Sequence, residues 1–191
     1  MKLLQKIFSL ALLLPVTVAF AGSPATDKTT TAKWQQYQIK FHYAGFTTDY
    51  TCDGARDKVK LLLGAIGARD DVKVENTCTG SFSEIQPFQD LKLAFALPVP
   101  AEPTDVSEAT FPANWGKVHL TSNHPRDLDQ GDCELVEQFA KQVLSKTNVR
   151  EVVNDANCIP HQQTLNSPNL SATLLMQQKP QVLEPAKAAS R

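Results

Sequence analysis

Four cysteines and four histidines are the side chains of this 191-residue chain best suited to covalent or metal chemistry. The cysteines are Cys52, Cys78, Cys133 and Cys158, an even number with no Cys-x-x-Cys pair among them. Such spacing disfavours a thioredoxin-like redox site or a zinc ribbon and favours two disulfides. His42 and His119 each close a Lys-x-His triplet. Brought together they would make a metal-binding pair, although two histidines do not complete a tetrahedral set and polar strand residues more often just face water. His124 stands in the polar run 122–129 with Arg126, Asp127 and Asp129. Placed just before a helix, these four form the candidate ligand-binding set, and His124 with either aspartate would make an acid–base pair. Asn, His, Pro and Asp are also ordinary turn residues, so a solvated turn competes.

Nucleophilic catalysis finds little in the sequence. Gly-x-Ser-x-Gly, Ser-x-x-Lys, His-Glu-x-x-His and a phosphate-binding glycine loop are all missing, so no catalytic residue is assigned and no cofactor is expected. The loop in the first half that corresponds to the His124 run carries Thr47, Thr48, Asp49 and Tyr50 but no histidine, which disfavours a symmetric catalytic pair. Phe46, Tyr50, Trp34 and Trp115 fall near the ends of expected elements, where core packing is a commoner role than lining a pocket.

These residues must be positioned by elements that recur. Tyr37, Ile39, Phe41 and Tyr43 alternate with polar residues, the period of a half-buried strand. From Asp53 to Ile66, Ala55, Val59, Leu62 and Ile66 share one helical face, and Gly67 is placed to end the helix. Residues 72–76 and 91–97 read as strands, the latter stopped by Pro98. The second half repeats the order: a strand at 117–120, a helix at 133–146 with Asp132 as a capping type, a strand around Val149 to Val153, and a strand at 170–176. Cys52 and Cys78 are 26 positions apart and Cys133 and Cys158 are 25 apart, each pair joining a helix start to the end of the following strand. A right-handed crossover returns those two ends to one edge, so the pairing Cys52 with Cys78 and Cys133 with Cys158 is favoured over crossed connectivities.

The expected fold is therefore α+β: two tandem β-α-β-β units, a mixed sheet with both helices on one face in a ferredoxin-like sandwich, and one disulfide inside each unit. Expected boundaries are a signal peptide at 1–21, a flexible leader at 22–33, the first unit at 34–97, a proline-rich linker at 98–113, the second unit at 114–178 and a disordered tail at 179–191. Lys2 and Lys6, an apolar run too short to span a bilayer and the Ala19-Phe20-Ala21 ending are the marks of a secretory signal cleaved after Ala21. Cleavage leaves 17 basic against 20 acidic residues, a net −3 that gives no electrostatic reason to expect nucleic acid or an anionic membrane surface as partner, and no integral membrane span is expected afterwards. The expected address is the periplasm or the cell exterior.

The segment Gly45, Phe46, Thr47, Thr48, Asp49, Tyr50, Thr51, Cys52, Asp53, Gly54, followed after the helix by Gly67, Ala68, Arg69 and Asp70, resembles a family of uncharacterised small exported proteins of Gram-negative bacteria. The resemblance implies an exported address and no particular chemistry. The functional expectation is a non-catalytic exported protein that binds a partner protein or a small ligand. The alternatives are a small periplasmic hydrolase using the His124 loop and a metal binder using His42 and His119.

Overall fold

The computed structural model describes residues 29–78, 84–103 and 109–178. The expected signal peptide and tail lie outside the described residues, as does most of the expected leader. In chain order the elements are β1 (Thr30–Ala44), β2 (Tyr50–Thr51), α1 (Cys52–Ala65), β3 (Lys73–Asn76), β4 (Ile85–Gln86), β5 (Phe88–Pro100), β6 (Phe111–Thr121), α2 (Cys133–Gln142), β7 (Arg150–Asn154) and β8 (Asn169–Gln177). A 3-10 turn at Gln130–Asp132 leads into α2, and two more follow at Leu144–Lys146 and Gln163–Leu165.

Six strands form one sheet in the order β3-β5-β1-β6-β8-β7, and β2 pairs with β4 apart from it. The fold is α+β, as the periodicities imply, but every described strand pairing is antiparallel, which corrects the expectation of a mixed sheet. β1 and β3 do share a direction, as a crossover through α1 requires. Yet β5 inserts between them, and β8 inserts between β6 and β7 in the same way, so no two parallel strands become neighbours.

Several strands run further than their hydrophobic patterns suggest. β1 begins at Thr30, inside the expected leader, and β5 continues through Pro98 and Pro100 into the expected linker. The prolines are tolerated for a local reason. β3 pairs with β5 only as far as Ala94, and Ala96 on the side away from β1 accepts a hydrogen bond from the Arg69 amide rather than from a strand. Pro98 and Pro100 share the parity of Ala96, so the amides they lack would have pointed at a side with no ladder.

Helix α1 buries Ala55, Val59, Leu62 and Leu63, and the Thr51 side chain caps it by accepting from the Gly54 amide. Gly67, at φ 83°, lets the chain turn as Gly67 N–H reaches Gly64 O and Ala68 N–H reaches Leu63 O, a Schellman ending. α2 buries Leu135, Val136, Phe139 and Ala140 and stops at Gln142, the expected last turn tightening into a 3-10 turn. Both helices pack on one continuous core in which Phe41, Leu62, Leu93 and Phe95 join Leu120, Phe139, Leu170 and Leu174. One core thus spans both halves of the chain. The disulfides are Cys52–Cys78, with Cα atoms 6.3 Å apart, and Cys133–Cys158, at 5.6 Å.

Candidate functional site

The site begins where β1 loses its neighbour. β1 and β6 pair only between Thr30–Ala32 and Phe111–Ala113. Farther along, the backbone edge of β1 would be left with unpaired donors and acceptors, which is costly where water is limited. Helix α2 supplies the missing partners from one stripe of its surface. The Gln142 side chain accepts from His42 N–H at 2.9 Å and donates to His42 O at 2.7 Å. Gln138 does the same for Ala44, at 3.0 and 2.8 Å. Glu134, itself buried, accepts from Phe46 N–H at 2.8 Å, Thr47 N–H at 3.1 Å and the Thr47 hydroxyl at 3.0 Å. The match is geometric: four residues of helix rise about 6 Å, and two residues of strand rise about 6.8 Å.

This stripe anchors the loop 45–49. Gly45 has no room for a side chain, since a Cβ there would lie 2.4 Å from the Thr48 carbonyl. Its amide donates to Pro87 O, and the Tyr43 hydroxyl donates to Thr48 O. Thr47 Oγ1 accepts from His161 N–H at 2.9 Å, so the loop from the first half reaches the 158–166 segment held by the Cys133–Cys158 bridge. Beside it, Asp132 is buried and accepts from three directions: the Tyr50 hydroxyl, Lys58 Nζ at 2.6 Å and Asp129 N–H at 2.8 Å. Burial, with Asp132 facing it, pushes the Tyr50 phenol well above its ordinary pKa, and burial also raises Tyr43, with Glu134, Asp49 and Asp132 adding to the effect.

A polar cleft of about 400 Å³ opens at this junction, lined by Ser122, Asn123, Asp129, Gln130, Gly131 and Gln163. Gly131 is wedged there, with positions for a Cβ only 2.6 Å from Gln163 Nε2 and 2.9 Å from Thr48 Oγ1. That Thr48 hydroxyl is buried and, among the described residues, has no hydrogen-bond partner.

The candidate residues distribute unevenly around the cleft. Asp129 lines it, but its side chain also caps the 3-10 turn by accepting from Gly131 N–H at 2.7 Å. Asp127 contributes its backbone carbonyl to Lys58. His124 and Arg126 are exposed, and among the described residues no hydrogen bond joins the His124 ring to a carboxylate or hydroxyl. His42 lies across the strands from Asp90, with Nδ1 2.8 Å from Oδ1, and His119 lies opposite Ser171. Among the described residues no three His, Cys, Asp or Glu side chains group for a metal, so a shared site on His42 and His119 finds no further ligand. Also among the described residues, no helix is long and apolar enough to cross a membrane.

Gln163 and Thr48 were not singled out by sequence reasoning, nor were Glu134, Gln138 and Gln142 as a ladder. The one local signal was their spacing of four on the helix, which marks a polar stripe without naming what it faces. Compared with protein-family models, curated proteins and solved structures, the chain matches none.

Proposed function

We propose that this chain is an exported, non-catalytic binding protein whose polar cleft at the junction of its two halves takes a small polar ligand or a short segment of a partner. The observation that carries the reading is the buried, unpartnered Thr48 hydroxyl beside a cleft rimmed by three side-chain amides, a hydroxyl and one carboxylate. The rim's amides, hydroxyl and carboxylate offer donors and acceptors to a molecule with hydroxyl or amide groups, and the Thr48 hydroxyl stands behind Gly131 at the cleft wall. Two disulfides fit an oxidising compartment and the secretory signal read at residues 1–21.

The scaffold reads as a duplicated β-α-β-β unit. Trp34 and Trp115, Cys52 and Cys133, and Arg69 and Arg150 are all separated by 81 positions. Each arginine stacks over the tryptophan of its own half, at 5.5 Å for Arg69 over Trp34 and 3.7 Å for Arg150 over Trp115. The strand order also reads alike from both sheet edges inward: third, fourth, then first element of each half. Insertion of the two loops 45–49 and 122–131 against each other then makes a cleft at the seam.

The test is a titration of isotope-labelled mature protein with a panel of short peptides and saccharides, followed by amide shifts. Saturable shifts at Asn123, Gly131 and Gln163 that Gln163→Leu removes are expected. Shifts that avoid these residues, or that survive the substitution unchanged, would overturn the cleft as the binding site. The N-terminal sequence of protein recovered from the periplasm or medium should begin at Gly22.

A further inference from the structure

A second groove, of about 390 Å³, lies on the sheet over β1, β3 and β5, none of which lines the junction cleft. Its lining includes Lys40, Lys73, Lys92 and Glu75, with Ala94 and Gln38 between them. Register explains the depression. Ala94 lies directly between Lys73 on β3 and Gln38 on β1, and in the next row Lys92 lies between Glu75 and Lys40. A small side chain is thus ringed by long ones.

The charges there are not arranged for stability. Lys40 and Lys92 face each other directly across β1 and β5, a pairing that puts like charges about 5 Å apart at Cβ and is unfavourable. Among the described residues no ion pair within 4 Å holds Lys40, Lys73, Lys92 or Glu75, although Asp71 lies within electrostatic reach of Lys73, whereas Lys58, Lys141, Arg56 and Arg69 each have a carboxylate within 4 Å. Three ammonium groups against one carboxylate leave a local +2 on a chain whose net charge is −1.

We propose that this groove binds a phosphate monoester or another phosphate-bearing group through Lys40, Lys73 and Lys92. A phosphate dianion carries about −1.5 to −2 at pH 7 and offers several acceptor oxygens, which matches both the charge and the number of donors. A carboxylate would neutralise only half of the excess. The bound group relieves the Lys40–Lys92 repulsion, and Glu75 opposite Lys92 limits the site to a dianion rather than a longer polyanion. The phosphate can belong to a free metabolite or to a lipid headgroup, since the groove is open on the sheet surface.

The experiment uses the mature, oxidised protein at constant ionic strength. Lysine and backbone resonances are followed during titration with inorganic phosphate and glycerol phosphate, and sedimentation is measured with phosphatidylcholine vesicles with and without phosphatidic acid, whose headgroup is a phosphate monoester. Saturable shifts at residues 40, 73, 92 and 94 are expected, weakened at least about five-fold by Lys40→Gln and by Lys92→Gln, strengthened by Glu75→Gln, and unchanged by Lys60→Gln on α1. Binding to vesicles that contain phosphatidic acid without binding to free phosphate esters would assign the phosphate to a lipid. Failure of every phosphate probe would overturn the proposal. So would an equal loss in Lys60→Gln, because the effect would then be diffuse charge. Cleft binding at Gln163 is read at separate residues, so the two sites stand or fall independently.

Discussion

Glu134 follows Cys133 directly, where a carboxylate suits the positive end of a helix, and that much was legible from the sequence. Its larger task is non-local. Both oxygens accept from Phe46 and Thr47, which are 88 and 87 positions away, and nothing in a periodicity reveals such a pairing. Replacing it with alanine leaves two backbone donors unpaired beside the core, so Glu134→Ala should cost about 2–3 kcal/mol in urea unfolding. Glu134→Gln keeps one acceptor oxygen and should cost less. Asp132 was read as a helix cap, and its side chain instead receives Tyr50, Lys58 and Asp129. Removing it leaves the Tyr50 hydroxyl and the Asp129 amide without their acceptor, while Lys58 keeps the Asp127 carbonyl and Asp129 at 3.7 Å, so Asp132→Ala should cost about 2–3 kcal/mol by the same measurement.

The three tyrosines of the chain are Tyr37, Tyr43 and Tyr50, and burial raises the pKa of all three. A phenol raised in the folded state favours folding fully below its ordinary pKa of about 10, and that contribution is lost as pH climbs through the folded value. Little phenolate absorbance should therefore develop near pH 10 while the protein stays folded. The absorbance should rise together with alkaline unfolding, and early half-ionisation of all three would contradict the burial described.

At the scale of elements, the hydrophobic periods located both helices and the main strands, because those periods follow from which face is buried. Strand ends were less legible. Pro98 reads as a stop, yet it lies in β5 because the adjoining strand has already ended, a fact of pairing rather than of sequence. The α2 stripe is the element-scale device of this fold, a helix standing in for a strand. Gln138→Ala combined with Gln142→Ala should destabilise the protein by about 2–4 kcal/mol without changing its disulfides, measurable by denaturant melts and non-reducing peptide maps. The two bridges close loops of 26 and 25 positions, and each should contribute about 3 kcal/mol. Replacing Cys133 and Cys158 together by alanine should also blur amide signals across 158–166, since that segment would lose its covalent tie to α2 and keep its contacts with Thr47, Gly131 and its own Asn157–Ser167 bridge.

For the whole molecule, the α+β class and the disulfide pairing followed from the periodicities, crossover geometry and the cysteine spacing. How the halves meet did not, because the seam is made of a three-residue strand pairing, side-chain amides and a buried aspartate, none of which carries a local signature. The cleft proposed for binding is lined from the second half alone, and the seam sets loop 45–49 behind its wall, with Thr48 Oγ1 against Gly131. Its integrity can be read at four backbone amides. Hydrogen exchange of the oxidised protein at neutral pH should find His42, Ala44, Phe46 and Thr47 N–H slow in the native chain, and markedly faster at Phe46 and Thr47 in Glu134→Ala. Exchange of these four amides at the rate of an unstructured peptide would show that α2 does not complete the edge of β1, and the seam with its cleft would have to be abandoned.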